Sequence, residues 1–429
     1  MKIACIGTGF VGVVTTAVLA KLGHEVVGLD ISEDRIESLK NGEVPFFEPG
    51  LSELLVQTQS DGNLTFTTDY KQAITDADIV MIMVGTPSAS DGQADLKYVM
   101  VSAESAAPHL QDGVIVIIKS TVPPGTNQLV RDHISPLTKV SFDIASVPEF
   151  LREGTAVEDT LHPDRVLIGS DNPDTIKILT NLHQPLTKNI IVMQAESAQM
   201  AKYAANVYLA MRITFANQMA DLCEQNGADV EEVLSGIGAD SRIGTHYWYP
   251  GLGYGGSCFP KDVKEIAAYA RSIGESESIF IAVDSLNEAR IPRLMKRYQD
   301  YVDGFENKKV AVLGLSFKKD TNDTRVSPAL KVIPWLIEHG ASVTATDPQA
   351  INEIKSLLPS EVRYVDDPYT ACTGTNIVML LVEWDEYQKL DLAKIASTMQ
   401  EPKVFIDTRN QYSPRDVVAA GLLYQGVGR

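Results

Sequence analysis

At 429 residues the chain is too long for one ordinary core, so two or three domains are expected. With 44% hydrophobic and 22% charged residues it has the composition of a soluble globular protein, and no apolar run approaches the roughly 20 residues that would span a bilayer. A net charge of -19 argues against nucleic acid as a partner, because no basic face offsets phosphate repulsion; a phosphorylated small molecule, which needs only a local cluster of donors, stays open.

The four cysteines, Cys5, Cys223, Cys258 and Cys372, are scattered without CxxC or metal spacing. Met1-Lys2-Ile3 runs directly into a strand pattern where a signal peptide would stand. Free thiols in a reducing cytoplasm, with no bound metal, are therefore the expectation.

Lys2 to Gly7 reads as a buried strand. Gly7-Thr8-Gly9-Phe10-Val11-Gly12 follows, opening an apolar helix read as Val13 to Leu22, and Glu25 to Asp30 is a second strand ending in an acid. This is the dinucleotide fingerprint in its proper context. Gly7 permits the tight turn, Gly9 lets a pyrophosphate approach the backbone, and Gly12 lets helix pack on strand. The helix N-terminus faces the phosphates. Asp30 suits ribose hydroxyls and repels a 2′-phosphate, favouring NAD over NADP; Arg35 reads either as an aid to such a phosphate or as an exposed helix arginine.

Three further apolar runs alternate with helical segments. They are Ala77–Val84, ending in Gly85-Thr86-Pro87; Gly113–Lys119, ending in Ser120-Thr121; and Asp143–Val147, ending in Pro148-Glu149-Phe150-Leu151. Strands apolar throughout predict a parallel sheet covered on both faces, with ligands beyond the carboxyl ends of the strands. That makes Thr86, Thr121, Glu149 and Glu153 candidates.

From about Glu196 to Asn226 there is no proline or glycine, and apolar residues recur at helical spacing, predicting a helix of roughly 45 Å. A helix this long joins domains or lies at a subunit interface. Lys202 and Asn206 project from one of its faces, a turn apart; on spacing alone they read as a solvated lysine with a neighbouring amide. Beyond lie Arg242, the aromatic-glycine stretch Tyr247–Tyr254, and Gly255-Gly256-Ser257-Cys258-Phe259-Pro260-Lys261-Asp262. Pro260 suits the start of a helix, and a thiol beside a helix N-terminus and a lysine loses its proton more easily. Asp262 follows one turn later.

The last third repeats the strand–helix alternation through Lys308–Gly314, Ser342–Asp347, Asn376–Val382 and Lys403–Asp407. Gly314-Leu315-Ser316 stands in place of a glycine fingerprint, and Lys318, Lys319 and Arg325 follow, suited to another phosphorylated nucleotide. A hinge is expected at Asp303–Asn307.

Taken in order, the motifs resemble the UDP-glucose 6-dehydrogenase family of nucleotide-sugar dehydrogenases almost end to end. They are Gly7–Gly12, Gly85-Thr86-Pro87, Ser120–Thr126, Val147–Gly154, Pro163–Val166, Lys202 with Asn206, Gly253–Asp262 and Lys318–Ser327. The resemblance implies an α/β chain of two doubly wound, Rossmann-like domains joined by a long central helix and a small helical domain: 1–195 binding NAD, 196–303 dimerising and catalytic, 304–429 binding the UDP-sugar. It implies oxidation of UDP-glucose at C6 to UDP-glucuronate with two NAD⁺. Cys258 would be the nucleophile, with Lys202 and Asn206 at the oxyanion, Asp262 and Thr121 on a water, and Glu153 as a base for hydrolysis.

Cofactor contacts carry over to Gly7, Gly9, Phe10, Val11, Gly12, Asp30, Arg35, Thr86, Thr121, Glu153, Lys261 and Arg325. Substrate contacts carry over to Glu149, Phe150, Leu151, Arg152, Glu153, Lys202, Asn206, Tyr249, Pro250, Gly251, Leu252, Gly253, Gly255 and Lys318. Arg242 matches an arginine that reaches a neighbouring subunit's substrate, implying a homodimer. The rival sugars are GDP-mannose and a UDP-N-acetylhexosamine; Ser257 before the cysteine, where the acetamido branch usually has histidine, argues against the latter. Phe10 stands where tyrosine is common, and Val326 where an acid commonly supports Arg325.

Overall fold

A computed structural model describes residues 1–429 as two compact units, Met1–Ala205 and Asn206–Arg429. The first is built on an eight-stranded sheet. Its strands are β1 (Lys2–Ile6), β2 (Glu25–Leu29), β3 (Leu64–Thr67), β4 (Ile79–Ile82), β5 (Val114–Ile118), β6 (Phe142–Ser146), β7 (Val166–Gly169) and β8 (Ile190–Met193), in the order β3-β2-β1-β4-β5-β6-β7-β8. All neighbours are parallel except β6 and β7, which meet antiparallel at Ser146 and Gly169. Along β1, Ile3 and Cys5 enter one apolar core while Ala4 and Ile6 enter another. Both faces are covered, which is why β1, β4 and β5 carry no polar alternation.

The second unit holds a six-stranded, all-parallel sheet. Its strands are β9 (Lys309–Leu313), β10 (Ser342–Thr346), β11 (Arg363–Tyr364), β12 (Ile377–Leu380), β13 (Val404–Asp407) and β14 (Leu423–Gln425), in the order β11-β10-β9-β12-β13-β14. Strand order reverses between β1 and β4 in the first sheet and between β9 and β12 in the second, giving each a crevice at its strand ends. The helix Ile279–Tyr301 buries Ile291, Leu294, Met295 and Tyr298 in the same core as β9, β12 and β13. Phe305, 1% exposed, enters that core too and anchors the 303–307 turn.

The long helix runs Ala195–Asn226 and ends at Gly227, whose φ of 79° suits a left-handed stop. The fingerprint helix runs Phe10–Lys21, three residues earlier than its apolar pattern begins, so Gly9 is its N-cap. A first helical turn carries no periodicity, and the sequence pattern alone could not set this boundary.

Candidate active site

In the first unit the dinucleotide turn has the shape a pyrophosphate requires. Gly7 sits at φ 97° and its N–H donates to Leu29 O, closing the turn after β1. A methyl on Gly12 would lie 1.9 Å from Gly7 O, whereas one on Gly9 would meet nothing within 4 Å. No side chain caps the helix at Gly9, so its N-terminal donors are offered to a ligand. Asp30 accepts from Thr8 N at 2.9 Å, Thr8 Oγ1 at 3.0 Å and Ser32 N at 3.1 Å, and pairs with Arg35 at 3.1 Å. Burial pushes the Asp30 pKa up, but these donors outweigh it and hold the carboxyl below its usual range. Arg35 is thus tied to Asp30, and the carboxylate beside it disfavours a 2′-phosphate. Phe10 lies against Phe46 with centroids 4.6 Å apart.

At the neighbouring strand ends, Thr86 Oγ1 donates to Thr121 O at 2.8 Å, joining the segments after β4 and β5. Beyond β6, Glu149 Oε1 accepts from Lys202 Nζ at 2.8 Å and Glu149 Oε2 from Leu151 N at 2.8 Å. Lys202 is only 3% exposed, and its ammonium also stands 5.1 Å from the Phe150 ring centre; Arg165 stacks on that ring at 3.7 Å. The solvated-lysine reading therefore fails: this cation is buried and compensated. Glu153 is 9% exposed, and Arg152 is exposed and bidentate to Asp159.

Two residues of this unit escape sequence reasoning. Glu48, 6% exposed, accepts from Gly154 N and Ala156 N, both at 2.6 Å, and so fixes the segment that carries Glu149–Glu153. A lone glutamate between Phe47 and Pro49 gives no sign of a partner a hundred residues away. Lys119 follows β5 directly, and burial pushes its pKa down, with Glu149 opposing and Lys202 reinforcing.

In the second unit Cys258 is the N-cap of the helix Phe259–Ser272, with Pro260 in its first turn. It is the one exposed cysteine; burial pushes the Cys5 and Cys372 thiols up to about 12, leaving them inert. Asp262, 1% exposed, accepts from Asn206 Nδ2 at 2.5 Å and lies 2.7 Å from Lys261 Nζ. Lys261 also reaches Glu265 at 3.3 Å. Burial alone would lower the Lys261 pKa, but Asp262 and Glu265 raise it, and Cys258 as a thiolate adds to the rise, so the ammonium stays charged beside the thiol.

The glycines before Cys258 are close-approach positions. Gly255 would place a methyl 2.4 Å from Val326 O, and Gly256 one 2.7 Å from the Phe317 ring, with Gly256 N donating to Arg325 O at 3.1 Å. Pro250, Gly251 and Leu252 are buried, while Tyr249 is half exposed. Arg325 takes its support from Asp323, Nε donating to Oδ1 at 2.9 Å and Nη2 to Oδ2 at 2.7 Å, so an acid after the arginine is unnecessary. Val326 adopts φ 52° instead. Lys318 stands 5.6 Å over Phe317, and Lys319 pairs with Asp385. Arg242, with 87% of its side chain exposed, is held only by Asp240.

The second sheet is a modified copy of the first. Gly314 has φ 101°, matching Gly7, and its N–H donates to Thr346 O as Gly7's does to Leu29 O. Asp347 occupies the place of Asp30 and likewise accepts backbone donors, Leu315 N at 2.7 Å and Ser316 N at 3.1 Å, with Trp384 Nε1 added at 3.2 Å and Gln349 N and Ala350 N on its other oxygen; the difference is that the next helix waits until Ala329. No helix N-terminus follows the turn, so this crevice is not a second dinucleotide site.

Three family models match the chain one after another along its length. The NAD binding domain of the UDP-glucose/GDP-mannose dehydrogenase family matches residues 1–187, its central domain 196–289, and its UDP binding domain 311–414. The chain belongs to the UDP-glucose/GDP-mannose dehydrogenase family. A UDP-glucose 6-dehydrogenase of Bacillus subtilis is 43% identical over 430 residues, covering 100% of this chain and 93% of that protein. The structure of a UDP-glucose dehydrogenase from Pyrobaculum islandicum superposes with a TM-score of 0.93 at 36% identity, over 99% of this chain and 97% of that one. A sibling, the UDP-D-ManNAc dehydrogenase of Pyrococcus horikoshii, gives 0.86 at 27% identity, over 100% and 99%. Like the rest of its family, the chain is an NAD-dependent oxidoreductase, and the open, uncapped turn at Gly9 fits the cofactor. No helix is long and apolar enough to cross a membrane.

Proposed function

We propose that the chain oxidises the C6 alcohol of UDP-glucose to the carboxylate of UDP-glucuronate in two successive steps, with Cys258 holding the intermediate. The observation that carries this reading is the one exposed thiol placed at a helix N-cap beside a charged Lys261, in a chain that also has a dinucleotide turn. The names of the Bacillus and Pyrobaculum relatives support glucose as the sugar.

NAD⁺ held at the Gly7–Gly12 turn would supply the hydride acceptor, one molecule for each oxidation, with NADH leaving between them. In the first oxidation a hydride leaves C6 while the hydroxyl proton passes to a water that Asp262 and Thr121 orient. The Cys258 thiolate then adds to the aldehyde carbon; a C–S bond forms and the oxygen takes a proton, giving a thiohemiacetal. Loss of a second hydride and of that proton gives a thioester. Water, deprotonated by Glu153, attacks the carbonyl, the C–S bond breaks, and the thiolate is restored. Lys202 and Asn206 stabilise the oxyanion in these steps. Both are buried with a carboxylate partner, Glu149 and Asp262 respectively, so each is oriented before substrate arrives.

The 149–153 and 249–255 segments and Lys318 are assigned to the substrate. Gly7–Gly12, Asp30, Arg35, Thr86, Lys261 and Arg325 are assigned to the cofactor. The protein acts as a homodimer. Tyr208, Phe215 and Leu222, at seven-residue intervals on the long helix, are 53%, 46% and 58% exposed, an apolar stripe that a second copy would cover. Arg242, held by its neighbour Asp240 and 87% exposed, is then presented to the other copy's substrate.

Counting NADH with UDP-glucose, GDP-mannose and UDP-N-acetylmannosamine side by side tests the reading. The expected result is two NADH per UDP-glucose, and Cys258→Ala should form no UDP-glucuronate while still binding NADH. A preference for GDP-mannose overturns the substrate, and one NADH per turnover overturns the thioester.

A further inference from the structure

A loop with glycines at 251, 253, 255 and 256 is the worst backbone on which to mount a nucleophile, because glycine gives up the most freedom when ordered. Side chains from two helices hold this one. Asn287, on the helix Ile279–Tyr301, accepts from Tyr254 N through Oδ1 at 2.9 Å and donates to Tyr254 O through Nδ2 at 3.1 Å. One side-chain amide thereby takes both backbone groups of a residue flanked by Gly253 and Gly255, as a neighbouring strand would. Three residues earlier, Gly251 N donates to Asn217 Oδ1 at 2.7 Å, and Arg290 Nε donates to Gly251 O at 2.9 Å. Asn217 and Arg290 are 3% and 2% exposed, and Arg290 is itself held by Asp221. Gly253, at φ 95°, passes so close that a methyl there would lie 2.4 Å from Asn287 Oδ1.

We propose that Asn287, with Asn217 and Arg290, is a positioning residue that fixes the glycine loop and thereby sets where Cys258 meets the reacting carbon. The inference rests on the covalent reading above. It gives the loop's rigidity a specific purpose: the aldehyde must be captured by the thiol before it leaves. A thiol displaced by a fraction of an ångström captures more slowly, and the half-oxidised sugar escapes after a single hydride transfer.

The test is Asn287→Asp, which keeps the shape and the acceptor to Tyr254 N but removes the donor to Tyr254 O. Amide exchange of the 250–258 segment, which needs no substrate, is expected to speed up. Turnover is expected to fall by about ten- to a hundredfold. NADH formed per UDP-glucuronate should rise above two, with an aldehyde product trappable by hydroxylamine, while NADH affinity stays within about twofold. Unchanged exchange, or faster exchange with wild-type turnover and a ratio of two, overturns the assignment, since a residue that only fills space would give that result. If Asn287→Asp does not fold, Asn217→Ala, which frees Gly251 N alone, must give the same three changes. Failure of the substrate reading shows earlier and separately, as wild-type protein that makes no NADH from UDP-glucose.

Discussion

Gly9 and Gly12 lie three residues apart in one fingerprint, yet alanine at the two positions should do opposite things. At Gly12 the new methyl would sit 1.9 Å from Gly7 O, where a carbon–oxygen contact needs about 3.2 Å. The helix must retreat by more than an ångström from the turn after β1. Overpacking of this kind costs roughly 1–3 kcal/mol, which for a unit of this size lowers the melting temperature by about 3–10 °C. At Gly9 the backbone is extended, at φ -71° and ψ -167°, and the methyl meets no protein atom within 4 Å. Gly9→Ala should therefore melt like the wild type. Its methyl instead enters the space reserved for the pyrophosphate, and NADH affinity should fall at least about tenfold, close to 1.4 kcal/mol. Melting curves with and without NADH, together with a fluorescence titration of NADH, separate the two effects. Wild-type affinity in Gly9→Ala, or wild-type melting in Gly12→Ala, would refute the reasoning.

Burial pushes the His183 pKa down from 6.5 to about 4, so the folded chain refuses a proton that the unfolded chain accepts. Stability is therefore lost as pH falls from 6.5 toward 4, by up to about 3 kcal/mol, and a flatter denaturant-midpoint profile in that window for His183→Gln checks it. Identical slopes for the two proteins would contradict the assignment. Phe215→Glu, in the middle of the exposed stripe on the long helix, should halve the mass seen by light scattering while leaving helix content unchanged. A monomeric wild type would defeat the dimer outright.

The dinucleotide turn, the strand cores and the long helix were legible because each rests on local rules: glycine spacing, apolar runs and the absence of helix breakers. The thiol segment was legible to the same degree, since Pro260 and the apolar spacing after it announce the helix that Cys258 caps. Lys202 was not. Its spacing matched that of a solvated lysine, and only packing against Glu149 and Phe150 shows a buried cation. Glu48, Asn217 and Asn287 were invisible for a related reason: an isolated polar residue on a helix or loop carries no mark of a partner distant in sequence.

By itself, then, the sequence determined the chemistry on offer: a hydride-acceptor site, a thiol at a helix start, and a second sheet without a working fingerprint. Tertiary structure alone decided which polar groups are buried and whom they face. It gave Lys202 and Asp262 their hydrogen-bond partners, surrounded Asp347 with donors from three separate segments, and gave a four-glycine loop hydrogen bonds like those of a strand. The physical reason is that helix and strand signals are written in neighbouring residues. Burial and hydrogen-bond satisfaction depend on residues tens to hundreds of positions away, which only the folded chain brings within 3 Å.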